Sequence, residues 1–220
     1  MQRLLDGYTR FRSEVFPEQA SLFKQLANTQ KPEVLFISCS DSRVLPEMIL
    51  QYGPGEVFSI RNAGNIVPSH DSVHGGVSAS VEYAVTGLKV TDIVVCGHSG
   101  CGAMKEILER AHLDDMPLVQ AWLKHAGPSA LWMRSLLNDS EHSPAEKLRL
   151  LIEANVITQM AHLNQHPSVV AERESREVNI HGWVFDIASG EVLSFNLETG
   201  EFKPLLGQQA VLPPGQLQIA

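Results

Sequence analysis

Three short, nearly continuous apolar runs limit what this 220-residue chain can fold into. They occupy residues 34–37 (VLFI), 57–60 (VFSI) and 93–96 (IVVC), and polar or glycine-rich residues follow each of them. Runs of this length and composition are typical of strands that are buried on both faces. Between the second and third runs, apolar residues recur at helical spacing over residues 75–88. The order strand, helix, strand predicts right-handed crossovers and a parallel sheet.

The rest of the chain predicts helices that pack on this sheet and a hairpin at one edge. Ser143-Pro144-Ala145-Glu146 combines a capping box with proline at the first helical position, which fixes one helix start. Apolar residues within 178–185 and 192–197, separated by Ala188-Ser189-Gly190, predict a strand and a hairpin. The predicted helices are an amphipathic N-terminal arm over about residues 1–30, and residues 102–111, 117–137 and 144–163. We therefore predict an α/β fold with a mainly parallel central sheet, a mixed edge and flanking helices, in a single domain over residues 1–220.

Charge and cysteine content exclude several classes of protein. The formal net charge of −8 provides no basic field for DNA or RNA phosphates, so nucleic-acid binding is not expected. Charged residues interrupt the apolar ones near the N-terminus, which predicts neither a signal peptide nor a membrane span and favours a cytoplasmic protein. Three cysteines in a reducing compartment do not form a disulfide framework, so each is core filler, a metal ligand or a nucleophile.

The loops after the first and third apolar runs carry the residues best suited to chemistry. The first run leads into Cys39-Ser40-Asp41-Ser42-Arg43 and the third into Gly97-His98-Ser99-Gly100-Cys101-Gly102. If the two strands are adjacent and parallel, both loops lie at the same edge of the sheet. Cys39, His98 and Cys101 then offer three ligands for which tetrahedral zinc is the natural occupant. Three protein ligands leave one coordination position open, as in a catalytic zinc site.

Each of these residues also has a more ordinary interpretation. A cysteine at a strand end is more often core filler, and a lone loop histidine is more often only hydrogen-bonded. The combination of HxxC in one loop with CxDxR in the other favours the zinc site. GHSGC (97–101) also resembles the GxSxG elbow of serine hydrolases, but its last position is cysteine and no triad is evident. The sequence lacks the HxE and PCxxC strings of zinc deaminases, a CxxC pair and a GxxxxGKS/T phosphate loop.

CSDSR (39–43) together with GHSGCG (97–102) resembles the β-class carbonic anhydrases. The likeness extends to Pro54-Gly55-Glu56, RNAGN (61–65), GGVSASVEYA (75–84) and His181-Gly182-Trp183, over most of residues 30 to 200. The resemblance implies one zinc ion per subunit, held by Cys39, His98 and Cys101. It also implies reversible hydration of CO2 to bicarbonate and a proton, by attack of zinc-bound hydroxide.

Asp41 and Arg43 take complementary roles in this interpretation. Two thiolates donate more charge to zinc than imidazoles do, so the bound water loses its proton less readily. The Asp41 carboxylate accepts a hydrogen bond from that water and orients it, while Arg43 keeps the carboxylate in place and ionised. In the family this aspartate also binds zinc in a closed state, which one subgroup couples to a bicarbonate held by Trp, Arg and Tyr. Phe36, Arg61 and Phe185 stand at those positions here, so we predict an open zinc site near neutral pH.

The resemblance further implies a narrow hydrophobic substrate cleft lined by Gln30, Phe58, Ala63, Tyr83 and Gly102. Gln30, Phe58 and Tyr83 would come from a partner subunit on which the N-terminal helices pack, so that a homodimer is the minimal unit and a tetramer is compatible with it. From the residues alone, the preferred interpretation is that Gln30 is a solvated residue before a strand and that the two aromatics are ordinary core residues. Two other functions stay open: hydrolysis of CS2 or COS at the same zinc site, and a non-catalytic zinc protein.

Overall fold

The three apolar runs form neighbouring parallel strands on one side of a six-stranded sheet. The prediction of burial on both faces is confirmed for the first and third runs but is wrong for the second, which lies in the edge strand and buries only Ile60. The computed structural model describes residues 1–70, 75–109, 113–131 and 142–206. Its strands are β1 (Val34–Cys39), β2 (Val57–Asn62), β3 (Asp92–His98), β4 (Asn179–Phe185), β5 (Val192–Asn196) and β6 (Glu201–Pro204). Across the sheet they are ordered β2-β1-β3-β4-β5-β6; the first four are parallel, and β5 runs antiparallel to both of its neighbours. The predicted α/β fold with a mainly parallel sheet and a mixed edge is therefore confirmed.

Helices flank this sheet as the sequence predicts. The described helices are α1 (Gln2–Arg10), α2 (Phe16–Leu26), α3 (Pro46–Leu50), α4 (Gly76–Glu82), α5 (Gly102–Glu109), α6 (Pro117–Leu123), α7 (Pro144–Asn164) and α8 (Pro167–Arg173). The predicted capping box starts α7: the Ser143 hydroxyl accepts from the Glu146 backbone N–H, and the Glu146 carboxylate accepts from the Ser143 N–H. After α6 the chain tightens into a 3-10 turn over Lys124–Ala126. Residues 110–111 and 132–137 of two predicted helices lie outside the described residues.

The core consists of two apolar clusters on opposite faces of the sheet. Successive strand residues point to opposite faces, so Leu35 and Ile37 join the larger cluster, while Phe36 joins the smaller one. The larger cluster packs the sheet against α4, α5, α7 and α8. Cys96 lies in the smaller cluster and is fully buried, and this burial raises the pKa of its thiol to about 12. Cys96 is therefore core filler, away from the loops that carry the other two cysteines.

The N-terminal arm, residues 2–26, is a nearly continuous helical segment that makes little contact with the rest of its own chain. A π-helical turn at Phe11–Val15 joins α1 to α2, and none of the three segments buries a residue. Leu4, Leu5 and Tyr8 are 71%, 51% and 62% exposed, so apolar surface is left uncovered by this chain. Packing of the arm on a partner, and a single domain over residues 1–220, stay predictions. In the described part of the chain, none of the helices combines the length and apolarity needed to cross a bilayer.

Candidate metal centre

The pairing of β1 with β3 brings the three predicted metal ligands together. The strands are adjacent and parallel, with Ser38 opposite Cys96, so Cys39 and His98 both come at the carboxyl edge of the sheet. Cys101 follows three residues after His98 and directly precedes α5. The ligand atoms of Cys39, His98 and Cys101 all lie within 4.8 Å of one another. Tetrahedral zinc with Zn–S bonds of about 2.3 Å requires ligand separations of about 3.8 Å, so the three atoms lie within about 1 Å of the spacing that zinc needs.

The His98 imidazole is oriented for metal binding. Its Nδ1 lies 3.0 Å from the Ser99 carbonyl oxygen, which accepts a hydrogen bond only if Nδ1 carries the proton. The Nε2 lone pair is then free, and Nε2 is buried without a hydrogen-bond partner among the described residues. A buried polar atom without a partner is costly in free energy, and a metal ion removes that cost. The residues present therefore fit a metal ion bound at Nε2.

The two cysteine thiols of the centre are buried, and each shifts the pKa of the other. Cys39 is 6% exposed and Cys101 is 1% exposed. A hydrogen bond from the Cys101 thiol stabilises the Cys39 thiolate and lowers the pKa of Cys39, whereas the pKa of Cys101 is raised by giving that bond and by burial. Zinc binds thiolates, so metal binding at this pair releases the remaining proton. Two thiolates and one imidazole are a donor set that favours zinc over magnesium or calcium.

Asp41 borders the three ligands and is held by Arg43 in a two-pronged ion pair. Arg43 Nε donates to Asp41 Oδ1 at 2.9 Å, and its terminal nitrogen donates to Oδ2 at 2.7 Å. These bonds are the main reason why the pKa of the Asp41 carboxyl lies well below its usual range. Oδ2 lies 3.8 Å from Nε2 of His98, so the carboxylate faces the space that the ligands enclose. The structure thus pairs Asp41 with Arg43 at the edge of the candidate metal centre.

The chain segment that carries Cys39 and Asp41 receives hydrogen bonds from Arg61, in β2, and from Gly64, two residues after β2. The sequence analysis did not assign these contacts. Arg61 donates to the backbone carbonyls of Cys39 at 3.3 Å and Asp41 at 2.8 Å. The Gly64 N–H donates to the Cys39 sulfur at 3.4 Å. Gly64 has φ +81°, and a Cβ at this position would lie 2.9 Å from Met104 Cε. The RNAGN string at the end of a strand was the available signal, because a glycine there permits both the backbone conformation and the close approach.

Two of the five predicted substrate-binding residues lie next to the metal centre. Ala63 precedes Gly64, and its carbonyl accepts a hydrogen bond from Trp122 Nε1 at 2.8 Å. Gly102 is the first residue of α5 and directly follows Cys101. Neither residue has a side chain larger than a methyl group, and their place in a substrate cleft stays a prediction.

The other three predicted substrate-binding residues lie elsewhere in the same chain. Phe58 comes four residues before Asn62, the β2 residue paired with Cys39, so it is about 13 Å along the strand from the centre. Tyr83 packs on Phe58 with ring centroids 5.9 Å apart and is 52% exposed. Gln30 is exposed and precedes β1, at the strand end opposite Cys39. A single chain therefore does not bring Gln30, Phe58 and Tyr83 to its own metal centre.

Comparisons with known proteins agree with this geometry. The carbonic anhydrase family model matches residues 34–192, a span that includes every residue of the metal centre. Carbonic anhydrase of Pseudomonas aeruginosa is 51% identical over 193 residues, 87% of this chain and 86% of that protein. Carbonic anhydrase 1 of Escherichia coli O157:H7 is 47% identical and covers 96% of this chain and 95% of its own length.

Solved structures give the same result. The structure of the β-carbonic anhydrase CcaA superposes with a TM-score of 0.88 at 38% identity, and the match covers 93% of this chain and 98% of that one. Matches of this extent leave little of either chain outside the shared fold. The chain therefore belongs to the β-class carbonic anhydrase family.

Proposed function

We propose that this protein catalyses the reversible hydration of CO2 to bicarbonate and a proton, using one zinc ion per subunit held by Cys39, His98 and Cys101. The observation that carries the proposal is the buried, unpartnered Nε2 of His98 within 4.8 Å of two cysteine sulfurs, with an ionised carboxylate at its border. Zinc held in this way supplies a water molecule with a lowered pKa, which is a nucleophile for CO2 near neutral pH.

Asp41 is proposed as the residue that orients the attacking water. Its low pKa keeps the carboxylate ionised throughout the neutral range, so it accepts a hydrogen bond and does not donate one. Arg43 holds both carboxylate oxygens, and its terminal nitrogen also reaches the Gly100 carbonyl at 3.4 Å. Because Arg43 thereby contacts both ligand loops, it fixes the direction in which Asp41 accepts the hydrogen bond from water.

The pairing of Asp41 with Arg43 also supports an open centre near neutral pH. A carboxylate held by two hydrogen bonds from a guanidinium loses both of them when it turns toward the ligands. Phe36 and Phe185, at the positions of the indole and phenol donors of the bicarbonate-binding subgroup, lie instead in the smaller apolar cluster. These residues offer no hydrogen bond to an anion that would favour the closed state.

A homodimer is the proposed minimal active unit. Gln30, Phe58 and Tyr83 would line the substrate cleft of the other subunit, which is consistent with their exposure or distance from their own centre. The uncovered apolar residues of the N-terminal arm support the same arrangement. Assembly into a tetramer is compatible with it.

A cytoplasmic location completes the proposal, without a nucleic-acid or membrane partner. Cys39, Cys96 and Cys101 are all free thiols in the structure. Free thiols persist in a reducing compartment, and a zinc centre of two thiolates needs them reduced.

The test is stopped-flow CO2 hydration between pH 7 and 9 on protein of measured zinc content. We expect one zinc per chain and kcat/KM within the ordinary enzymatic range of about 10⁴–10⁸ M⁻¹s⁻¹, already substantial near pH 7. Activity that appears only at alkaline pH would agree with the proposed enzymatic reaction but contradict an open centre near neutral pH. A zinc-loaded protein without CO2 hydration would contradict the proposal, and CS2 and COS would then be the substrates to assay.

A further inference from the structure

Residues 62–67, which begin at the last residue of β2, form a largely buried loop whose backbone is held by side chains. The Asn62 side chain donates to the Ile66 carbonyl at 2.9 Å and accepts from the Ile66 N–H at 2.7 Å. Gly64 and Asn65 both have positive φ, at +81° and +47°. Two successive left-handed residues are unfavourable for a free chain and persist only where the surroundings hold them. The 62–67 loop therefore depends on contacts from outside the loop.

Two buried amides of α7 supply the most directional of these contacts. Asn155 is 1% exposed and Gln159 is 0% exposed, although both lie on the helix face that packs against the core. The Asn155 amide nitrogen donates to the Gly64 carbonyl at 2.9 Å, and Gln159 Oε1 accepts from the Val67 N–H at 2.9 Å. His162, one turn further along, places Nδ1 2.7 Å from the Val67 carbonyl.

These hydrogen bonds form a relay that runs from Val67 through Gln159 and Asn155 to Gly64, and its direction fixes the orientation of both amide groups. Because Val67 N–H is a donor, Gln159 must turn its oxygen toward it, and its nitrogen then donates to Asn155 Oδ1 at 2.9 Å. Asn155 must in turn present its nitrogen to the Gly64 carbonyl. The relay thus ties the far end of the loop, at Val67, to Gly64.

Gly64 is also the residue whose N–H donates to the Cys39 sulfur, at 3.4 Å. One residue therefore has its carbonyl fixed by α7 and its N–H directed at a predicted zinc ligand. A hydrogen bond to a thiolate withdraws charge from the sulfur, and such partners of metal ligands tune the affinity and reactivity of the metal. A leucine has the same branching as Asn155 and a methionine nearly the same length as Gln159, and neither would bury a polar atom, so filling space does not require these amides.

We propose that Asn155 and Gln159 are positioning residues for the metal centre, holding the Gly64 N–H against the Cys39 sulfur through the 62–67 loop. This inference rests on the proposed function, because it assumes that Cys39 binds zinc. Among the described residues, neither amide has a hydrogen bond to a ligand, so the hydrogen-bonded path from them to the centre runs through the backbone of the loop.

The test compares Asn155→Leu and Gln159→Met with Thr158→Val as a matched control. Thr158 is on the same helix, and its hydroxyl donates only to the Ala154 carbonyl of that helix at 2.9 Å. We expect zinc release to an excess of chelator to be about 10- to 100-fold faster in both amide variants and unchanged in the control. Because both residues act through one relay, the double variant should be less affected than the product of the two single effects predicts.

The absorption spectrum of cobalt-substituted protein distinguishes a change at the metal ligands from a general loss of stability. Without the hydrogen bond from Gly64, the Cys39 sulfur holds more charge, and its charge-transfer absorption to Co²⁺ shifts to longer wavelength. The shift is expected in Asn155→Leu and Gln159→Met at temperatures well below their unfolding midpoints, and not in Thr158→Val. Should Asn155→Leu fail to fold, Gln159→Met alone decides, because it breaks the same relay.

The outcomes separate this inference from the function on which it rests. Wild-type protein that binds no zinc would overturn both. Wild-type protein that binds zinc and hydrates CO2, with amide variants whose zinc release and cobalt spectrum equal those of the control, would overturn only the positioning role. Lower unfolding temperatures in the amide variants with unchanged zinc release would overturn it as well, since the amides would then be only structural.

Discussion

The metal centre and the N-terminal arm are opposite in how much of their surroundings one chain supplies. The three ligands are at most 6% exposed, and hydrogen bonds from Arg43, Arg61 and Gly64 hold the loop that carries Cys39 and Asp41. The arm has no buried residue, and Leu4, Leu5 and Tyr8 are more than half exposed. The ligand set is therefore complete within one chain, whereas the arm leaves apolar surface that its own chain does not cover.

This difference separates two kinds of prediction. Changes at the metal centre should alter zinc content or turnover in every subunit, whatever the protein concentration. Changes in the arm should leave zinc in place and act through association. An arm variant that loses zinc, or a variant of the metal centre whose defect depends on protein concentration, would contradict this separation.

The largest effect is expected for Cys101→Ala, which removes a ligand. Two remaining ligands do not retain zinc against buffer, so zinc content should fall from one per chain toward zero and activity by about 10³-fold or more. Inductively coupled plasma mass spectrometry and stopped-flow assays measure these. Cys96→Ala is the matched control, because Cys96 is equally buried but lies in the other cluster, and it should keep its zinc. Loss of zinc from Cys96→Ala but not from Cys101→Ala would contradict the assignment of Cys101 as a ligand.

Asp41→Asn should reduce turnover and retain zinc. The amide has almost the same shape but offers a weaker acceptor and can present its NH2 group instead, so kcat should fall about 10²-fold. Asp92→Asn tests a carboxylate at the other end of β3, paired with His181 at 2.8 Å, and should be nearly as active as wild type. Equal loss of zinc in Asp41→Asn and Cys101→Ala would mean that Asp41 is chiefly a ligand.

Arg43→Gln should change the pH dependence of activity more than its maximum. Without the guanidinium, the pKa of Asp41 rises toward the ordinary value of about 4, so the carboxylate is still ionised at pH 7 but is no longer held. The freed carboxylate then competes with water for the zinc, and rising pH favours water because it loses its proton more readily. We expect kcat/KM about tenfold lower at pH 7 and largely restored at pH 9. A reduction that is equal at both pH values would contradict the holding role of Arg43.

The smallest effect on the centre is expected from Leu5→Glu in the arm. Burial of one leucine in a dimer interface contributes about 1.5–3 kcal/mol, so the dissociation constant should rise about tenfold or more. Sedimentation velocity should show more monomer at micromolar concentration, with zinc unchanged and activity that depends on protein concentration. Leu118→Glu, at an 85% exposed leucine on α6, is the control and should sediment like wild type. An active monomer in either variant would contradict the dimer as the minimal unit.

The sequence was sufficient for the parts of the molecule that depend on local pattern. Continuous apolar runs identified β1, β2 and β3, but burial on two faces was wrong for β2, because strand order in the sheet does not depend on local pattern and β2 lies at the edge. Ser143 with Glu146 identified the start of α7, because helix capping depends on neighbouring residues. The convergence of Cys39 with His98 followed from strand adjacency in a parallel sheet. The roles given to Asp41 and Arg43 came from their position directly after a ligand and from the family resemblance.

The contacts that join distant segments were not predictable in this way. Asn155 and Gln159 are polar residues four apart within a helix, a spacing equally typical of a solvated face. Their role follows only from the contact between α7 and the 62–67 loop, about 90 residues earlier in the chain. Arg61 likewise shows its bonds to the Cys39 and Asp41 carbonyls only once β2 lies beside β1.

The placement of Cys39 and His98 on neighbouring strands also means that strand pairing must come before tight zinc binding. The two ligands are about 60 residues apart in sequence, and α4 and β2 lie between them, so their approach is a non-local contact of the slow kind. Before β1 and β3 pair, only His98 and Cys101 are near each other, and two ligands hold zinc weakly. Under the proposed function, tight capture of zinc therefore requires that the central sheet has formed. A nascent or damaged chain without this pairing would leave the zinc pool almost untouched.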